Sequence, residues 1–323
     1  MKQHHALAII LTSLYVVGGV LDVRGQGLDK ALITHSSESI SIAPLTYGIE
    51  KGFYRKEGLD LQFRILRGDL AISSLVSGKE VDYMYTAGTA FLAAVRGAPV
   101  KILSHDFKSV LFYLMAQPGV RSPKDLKGKK IAVSSLGGTG AASARASLKA
   151  LELDPEKDMT FIVIGAASVR LAAMEAGSVE AAIMPVPWNS RMKQKGFKEM
   201  VFAGKVFSQP LTGIATSKEK IDKNRPQVNK ILRGFVRTLR AVREKRKEFT
   251  EFIARKFQLE PQVADETYQV VLQTLTEDGT VSPQALEELL DQTKKESGVT
   301  RKISVDDIVD YRLLREVAVT VGR

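Results

Sequence analysis

There is no cysteine in this chain. That excludes a thiol nucleophile, a disulfide framework, thiolate metal ligation and lipid attachment to an N-terminal cysteine. Histidine is scarce as well: the four are His4, His5, His35 and His105. None of them has the spacing of a helical metal site, so neither a metal centre nor a cofactor is expected. Trp188 is the single tryptophan. No basic run is interleaved with aromatics, which argues against nucleic acid despite a formal charge of +11. After the first residues, no apolar run is long enough to span a bilayer.

What is present is ordinary for a globular chain of two modest domains: 323 residues, 44% hydrophobic and 26% charged. Residues 1–27 read as a secretory signal peptide. Lys2, His4 and His5 make a short basic start, and an apolar stretch runs from Ala6 to Leu21. Val23 with Gly25, and Gly25 with Gly27, offer small-residue cleavage sites. An uncleaved anchor is the rival reading, and the run is marginal in length for it. The mature chain stays strongly positive, which suits an anionic ligand or an anionic surface.

Strands and helices then alternate. In the first third, strands are expected at Ala31–Thr34, Leu59–Leu66, Val81–Tyr85 and Val100–Ser104. Helices are expected at Pro44–Lys51, from a cap at Asp69 to Ser77, and at Thr89–Arg96. Leu111–Ala116 reads as an apolar connection, and the turn-rich stretch Pro118–Gly128 as a domain boundary. A second alternating block holds strands at Lys130–Ser134, Thr160–Ile164, Ala181–Met184 and Met200–Phe202. Its helices are Ala141–Leu151, Val169–Ala176 and Asn189–Lys195. Gln209–Thr216 reads as a second connecting strand.

From Arg225 the pattern is helical, near Lys247–Phe257, Pro261–Thr274, Pro283–Lys295 and Asp306–Val319. Val228, Ile231, Leu232, Phe235, Leu239 and Val242 share one face of a first such helix, with Arg233, Arg237 and Arg240 on a solvated face. The expected division is 28–114 with 209–323 as lobe one, and 115–208 as lobe two. Leu75–Thr86 and Met174–Pro185 echo each other as helix, glycine, strand. Two α/β lobes joined by two crossovers leave a ligand cleft at the carboxyl ends of their strands.

Candidate site residues follow from that placement. Ser135, Gly137, Gly138 and Thr139 lie between a strand and a helix, where backbone N–H groups and the helix dipole favour an anion. A plain turn with a threonine cap is the bland alternative. Ser37, Ser39 and Ser41 follow the first strand, as ligand contacts or caps. Thr86, Ala87 and Gly88 end the third strand, with a cap as the alternative. Pro187 and Trp188 end a strand of lobe two, where the indole either stacks on a ligand or packs in the core. His35 and His105, also at strand ends, are read as structural. Arg170 is read as a structural or rim residue rather than a buried anion clamp.

Several stretches resemble the SsuA/NMT1-like family of substrate-binding proteins: Ser37–Ser41 with Glu50–Asp60, Ser122–Val133, Leu153–Asp158 and Gly165–Gly177. Members are associated with sulfonate, taurine, nitrate and thiamine-precursor uptake. The resemblance implies a type II periplasmic-binding-protein fold whose cleft closes on ligand without chemistry. It implies a partner in the membrane permease of an ABC importer; the leader adds export, the missing cysteine excludes a lipoprotein, and a monomer is expected. An enzyme on the same fold, acting on a pyrimidine or a small organic acid, is the first alternative. No nucleophile–base pair or paired carboxylates stand at the strand ends, and the Cys-rich segment of the thiamine-precursor synthases is missing. A ligand-sensing domain is the second. The leader predicts a mature N-terminus between Gln26 and Asp29. N-terminal sequencing of secreted protein should return it; an intact Met1 on membrane-bound material would refute the leader.

Overall fold

The computed structural model describes residues 27–36, 38–136, 139–207 and 209–322. The expected leader lies outside them except for Gly27. In the first block, β1 (Asp29–His35) leads through a 3-10 turn at Ile40–Ile42 into α1 (Ala43–Glu50) and α2 (Phe53–Lys56). Then come β2 (Leu59–Ile65), α3 (Gly68–Val76), β3 (Tyr83–Met84), α4 (Ala87–Val95) and β4 (Val100–Ile102). The second block is β5 (Phe112–Ala116), β6 (Lys129–Val133), α5 (Thr139–Ala150), β7 (Met159–Val163), α6 (Ala167–Glu175), β8 (Ala181–Pro185), α7 (Trp188–Gln194), β9 (Lys198–Phe202) and α8 (Ala203–Val206). The chain returns with β10 (Ala215–Ser217) and α9 (Lys218–Lys223). It ends in α10 (Arg225–Glu244), α11 (Arg246–Phe257), α12 (Pro261–Thr274), α13 (Pro283–Ser297) and α14 (Arg312–Ala318).

Two sheets result, ordered β2-β1-β3-β10-β4 and β7-β6-β8-β5-β9. In the first, β1 runs parallel to β2 and β3, and β10 antiparallel to β3 and β4. In the second, β6 runs parallel to β7 and β8, and β5 antiparallel to β8 and β9. The plans are the same: each sheet takes its antiparallel member from the chain that arrives from the other block. This is the two-lobed type II arrangement. The sequence echo falls on equivalent elements, α3 to β3 and α6 to β8. Gly78 and Gly177 end those helices at φ +63° and +66°, a left-handed conformation that glycine adopts without strain.

Several local expectations are corrected. Asp69 does not cap α3: the N-cap is Arg67, without a side-chain cap, and Asp69 sits in the first turn paired to Arg67 at 2.6 Å. The stretch Leu111–Ala116 is more than a connection, since Phe112–Ala116 pairs along Ala181–Pro185. The division drawn between 114 and 115 therefore falls inside a strand. Of Gln209–Thr216, only Ala215 and Thr216 are strand. The helix expected over Asp306–Val319 starts at Arg312, because the chain before it docks on the edge of β4. There Ile102 N–H donates to Ile308 O and Asp310 N–H donates to Ile102 O, both at 2.9 Å.

The helix α10 shows how pattern becomes packing. Asn224 accepts from the Gln227 N–H at its start, and Pro226 occupies the first turn. Val228, Ile231, Leu232, Phe235, Leu239 and Val242 are all buried, in one core with residues of β1, α1, α2, α11 and α14. The arginine stripe is not simply solvated. Arg233 and Arg237 both donate to the Glu57 carboxylate at 2.6 Å. That carboxyl, though desolvated, is held below the ordinary carboxylate range by the two guanidinium groups. Arg240 donates to the carbonyls of Val321 and Gly322 just beyond α14. The solvent-side arginines thus fasten the C-terminal layer to lobe one.

The two crossovers, residues 103–111 and 209–214, run against each other. Leu103 N–H donates to Ile214 O at 2.7 Å, Asp106 N–H to Thr212 O at 3.1 Å and Leu211 N–H to Phe107 O at 3.1 Å. Gly213 permits the approach, since a Cβ there would stand 1.8 Å from Ser104 O. Gly213→Ala should cost about 1–3 kcal/mol, the usual range for overpacking, and lower the melting temperature. A melting temperature equal to the parent's would show that the crossovers part freely.

Candidate functional site

The carboxyl ends of β1, β3, β6, β7 and β8 open onto one cleft of about 1540 Å³ between the sheets. Parallel strands followed by helices put helix N-termini at that end, with unbonded N–H groups facing outward. The first turns of α4, α5 and α6 contain no acidic residue. Thr86 and Ala166, the N-caps of α4 and α6, supply no side-chain cap. The positive ends of these helices are therefore not neutralised within their own first turns. Side-chain charge has the same sign: Arg96, Arg145, Lys149, Arg170 and Arg191 line the cleft against Glu38 and Glu296.

Arg170 is the central group. It lies in α6, 3% exposed. Its Nε donates to Ile183 O at 3.1 Å and its Nη1 to Ile164 O at 3.2 Å and to Gly165 O. Among the described residues no carboxylate pairs with it, and its Nη2 makes no hydrogen bond. Burial pushes its pKa down to about 10, so it stays charged at neutral pH. Carbonyl dipoles orient the guanidinium but do not cancel a full charge, and a buried cation lacking its counter-ion is costly. Arg170 is thus not a rim residue, and its bonds to three backbone carbonyls fit the structural half of the expectation.

Two further polar atoms at the cleft are buried without partners: Thr86 Oγ1 on lobe one and Gln209 Oε1 on the second crossover. Buried side-chain oxygens normally find a partner, so these two are candidate contacts for a ligand's polar atoms. Sequence reasoning did not single out Gln209. Its only signal was its position on a connection between lobes, a common place for a ligand site. The aromatic residues Phe112 and Phe207 also line the cleft; Phe112 was missed because it read as part of a connection, and Phe207 because it fell in no expected element.

Of the sequence candidates, Ser39, Ser41, Thr86, Gly88, Thr139, Pro187 and Trp188 line the cleft. The hydroxyls of Ser39 and Ser41 lie 2.7 Å apart in a hydrogen bond to each other. Trp188 opens α7, half-buried, with the Arg191 guanidinium 5.1 Å from its ring centre. Ala87 is buried with the core around α4 and is not among the lining residues. Ser135 is not either, although Ser134 and Leu136 on both sides of it are. Ser37, Gly137 and Gly138 lie outside the described residues. His35 lines the cleft beside Tyr85, ring centres 6.2 Å apart. His105 is away from the cleft, buried with its Nδ1 2.6 Å from Tyr311 Oη. Burial pushes its pKa down to about 3, so it is neutral. No group of three or more His, Asp or Glu able to hold a metal occurs among the described residues.

Comparison with known proteins adds a lineage. The family described as NMT1/THI5 like matches residues 39–248. No curated sequence matches the chain. Among solved structures, the periplasmic aliphatic sulphonate binding protein SsuA from Escherichia coli is similar at a TM-score of 0.69 and 16% identity, covering 86% of this chain and 91% of that one. The alkanesulfonate-binding protein SsuA from Xanthomonas axonopodis, bound to MOPS, gives 0.68 and 17%, covering 87% and 98%. The periplasmic nitrate-binding protein NrtA from Synechocystis gives 0.67 and 16%, covering 91% and 89%. At such identities the likeness is one of fold. Thr86→Val keeps the shape of the side chain and removes a buried hydroxyl that has no partner. The ligand-free protein should melt at the parent temperature or above; a clear drop would show that this hydroxyl already has a structural partner.

Proposed function

The chain belongs to the NMT1/THI5-like family, and from that membership and the cleft we propose that it is a solute-binding protein that captures a small organic anion between its lobes. It is exported, binds without chemistry, and hands its ligand to the membrane permease of an ABC importer. The observation that carries this reading is the buried Arg170 guanidinium, held by three carbonyl groups and lacking a counter-ion among the described residues. The unneutralised helix ends of α4, α5 and α6 support the same sign of ligand. The Gln209 amide offers the same ligand a neutral polar partner. The ligand is an organic acid, carboxylate or sulfonate, that also carries a second polar group. Cleft size supports closure: about 1540 Å³ exceeds the roughly 300–1,000 Å³ of sites that enclose a small ligand.

A thermal-shift screen of hydroxy, amino and heterocyclic acids against polyamines tests the charge assignment. An acid at about 100 times its Kd should stabilise the protein by about 2.7 kcal/mol. Trp188 emission should shift as the lobes close on its indole. Arg170→Gln, checked by its own melting curve, should weaken binding at least thirtyfold, about 2 kcal/mol. Tight binding of a cation alone, or unchanged affinity in Arg170→Gln, would overturn the reading.

A further inference from the structure

Asp106 is a fully buried carboxylate with no use in the cleft, and it stands where three pieces of chain meet. It belongs to the first crossover and is 0% exposed. Its Oδ1 accepts from Thr212 Oγ1 of the second crossover at 2.5 Å. Its Oδ2 accepts from the Tyr85 hydroxyl. Tyr85 immediately precedes Thr86, so that bond fixes the strand end that presents the unpartnered cleft hydroxyl. The backbone of Asp106 is engaged too, with N–H to Thr212 O at 3.1 Å and its own carbonyl accepting from Thr276 N–H at 2.7 Å. No carboxylate–cation pair involves Asp106 among the described residues. Two hydroxyl groups and the nearby N–H groups of Asp106 and Phe107 are a weak return for the desolvation of a buried charge, which makes a purely stabilising role a poor explanation.

We propose that Asp106 is the positioning residue of the hinge, its carboxylate tying the two crossovers to each other and to the strand end that carries Thr86, and so setting the angle between the lobes. The chemistry of the tie makes it switchable. An ionised carboxylate only accepts, so both hydroxyls donate to it at once. A proton on either oxygen turns that oxygen into a donor, and the hydroxyl facing it must reverse and accept. Both ties then change from charge-assisted to weaker neutral hydrogen bonds, and the lobes gain freedom.

The surroundings leave Asp106 as the group that titrates. Burial pushes its carboxyl up to about 7. Tyr85 and Tyr54, packed against it from β3 and α2, are both held above the ordinary tyrosine range by burial. His105, its chain neighbour, stays neutral. Arg243 of α10, a fixed cation, spends its Nη2 on the carbonyls of Leu275 and Thr276. Because the folded-state pKa lies above the ordinary carboxylate value, the ionised form costs stability. The stabilisation that belongs to the neutral form is fully present below about pH 4 and is lost as pH rises through 7. The taut hinge is thus the less stable, high-pH form.

The absence of cysteine makes the test direct. Arg96→Cys and Lys149→Cys, both at exposed positions on opposite walls of the cleft, carry spin labels whose separation is measured by pulsed electron resonance without ligand. At about pH 8.5 the parent should give one narrow distance distribution, and at about pH 5.5 a broader, shifted one. Asp106→Asn, which copies the protonated acid with one donor and one acceptor, should give the low-pH distribution at both values. If that variant fails to fold, Thr212→Val, which removes one tie and keeps the carboxylate, should give the broad distribution at high pH as well. An unchanged parent distribution at the two pH values overturns the proposal, as does a variant that still follows pH like the parent. The measurement uses no ligand, so its outcome is separate from that of the anion assignment.

Discussion

The close approach of the two crossovers is the constraint on which the molecule depends. They lie backbone to backbone, with Ile214 O accepting from Leu103 N–H and Gly213 leaving no room for even a Cβ against Ser104 O. Each sheet borrows one antiparallel strand from the chain these crossovers deliver, β5 in one direction and β10 in the other. Parting them would disturb both sheets. Their tightness also confines relative motion of the lobes to a few residues, the condition for hinge closure rather than loose tumbling of two domains.

The cleft has an electrostatic logic that follows from the same topology. Parallel strands place helix N-termini at one end of each sheet, and the sequence leaves the first turns of α4, α5 and α6 without acids. Arg170 adds a full charge where water is largely excluded. In such surroundings a few fixed dipoles and one cation outweigh the many surface lysines that dominate the net charge, because screening weakens the latter and spares the former.

The alternation of elements and the helix–glycine–strand echo were legible because side-chain period and positive-φ glycine are local properties. The buried face of α10 was legible for the same reason. What escaped were features decided by partners distant in sequence. Nothing near Arg237 tells that Glu57 awaits it. Phe112–Ala116 reads as a connector until Pro185–Ala181 is seen beside it. In the cleft, Thr86 and Trp188 were found by their place after strands. Gln209 was not, since a glutamine in a connection has no pattern, and its meaning lies in an oxygen left unmatched by the fold.

One wall of the cleft comes from outside either α/β repeat. Leu289, Gln292, Thr293, Glu296 and Ser297 of α13 face it, and α13 packs on α4 and on the 3-10 turn Val305–Asp307. On the function proposed above, the head of a ligand meets strand ends that the whole topology fixes, while its far end meets an appended helix. Drift in α13 would then change the length or bulk of molecule admitted without touching the strand-end groups proposed to hold the anion. In a scaffold of this kind, breadth of diet and charge selectivity are free to evolve apart.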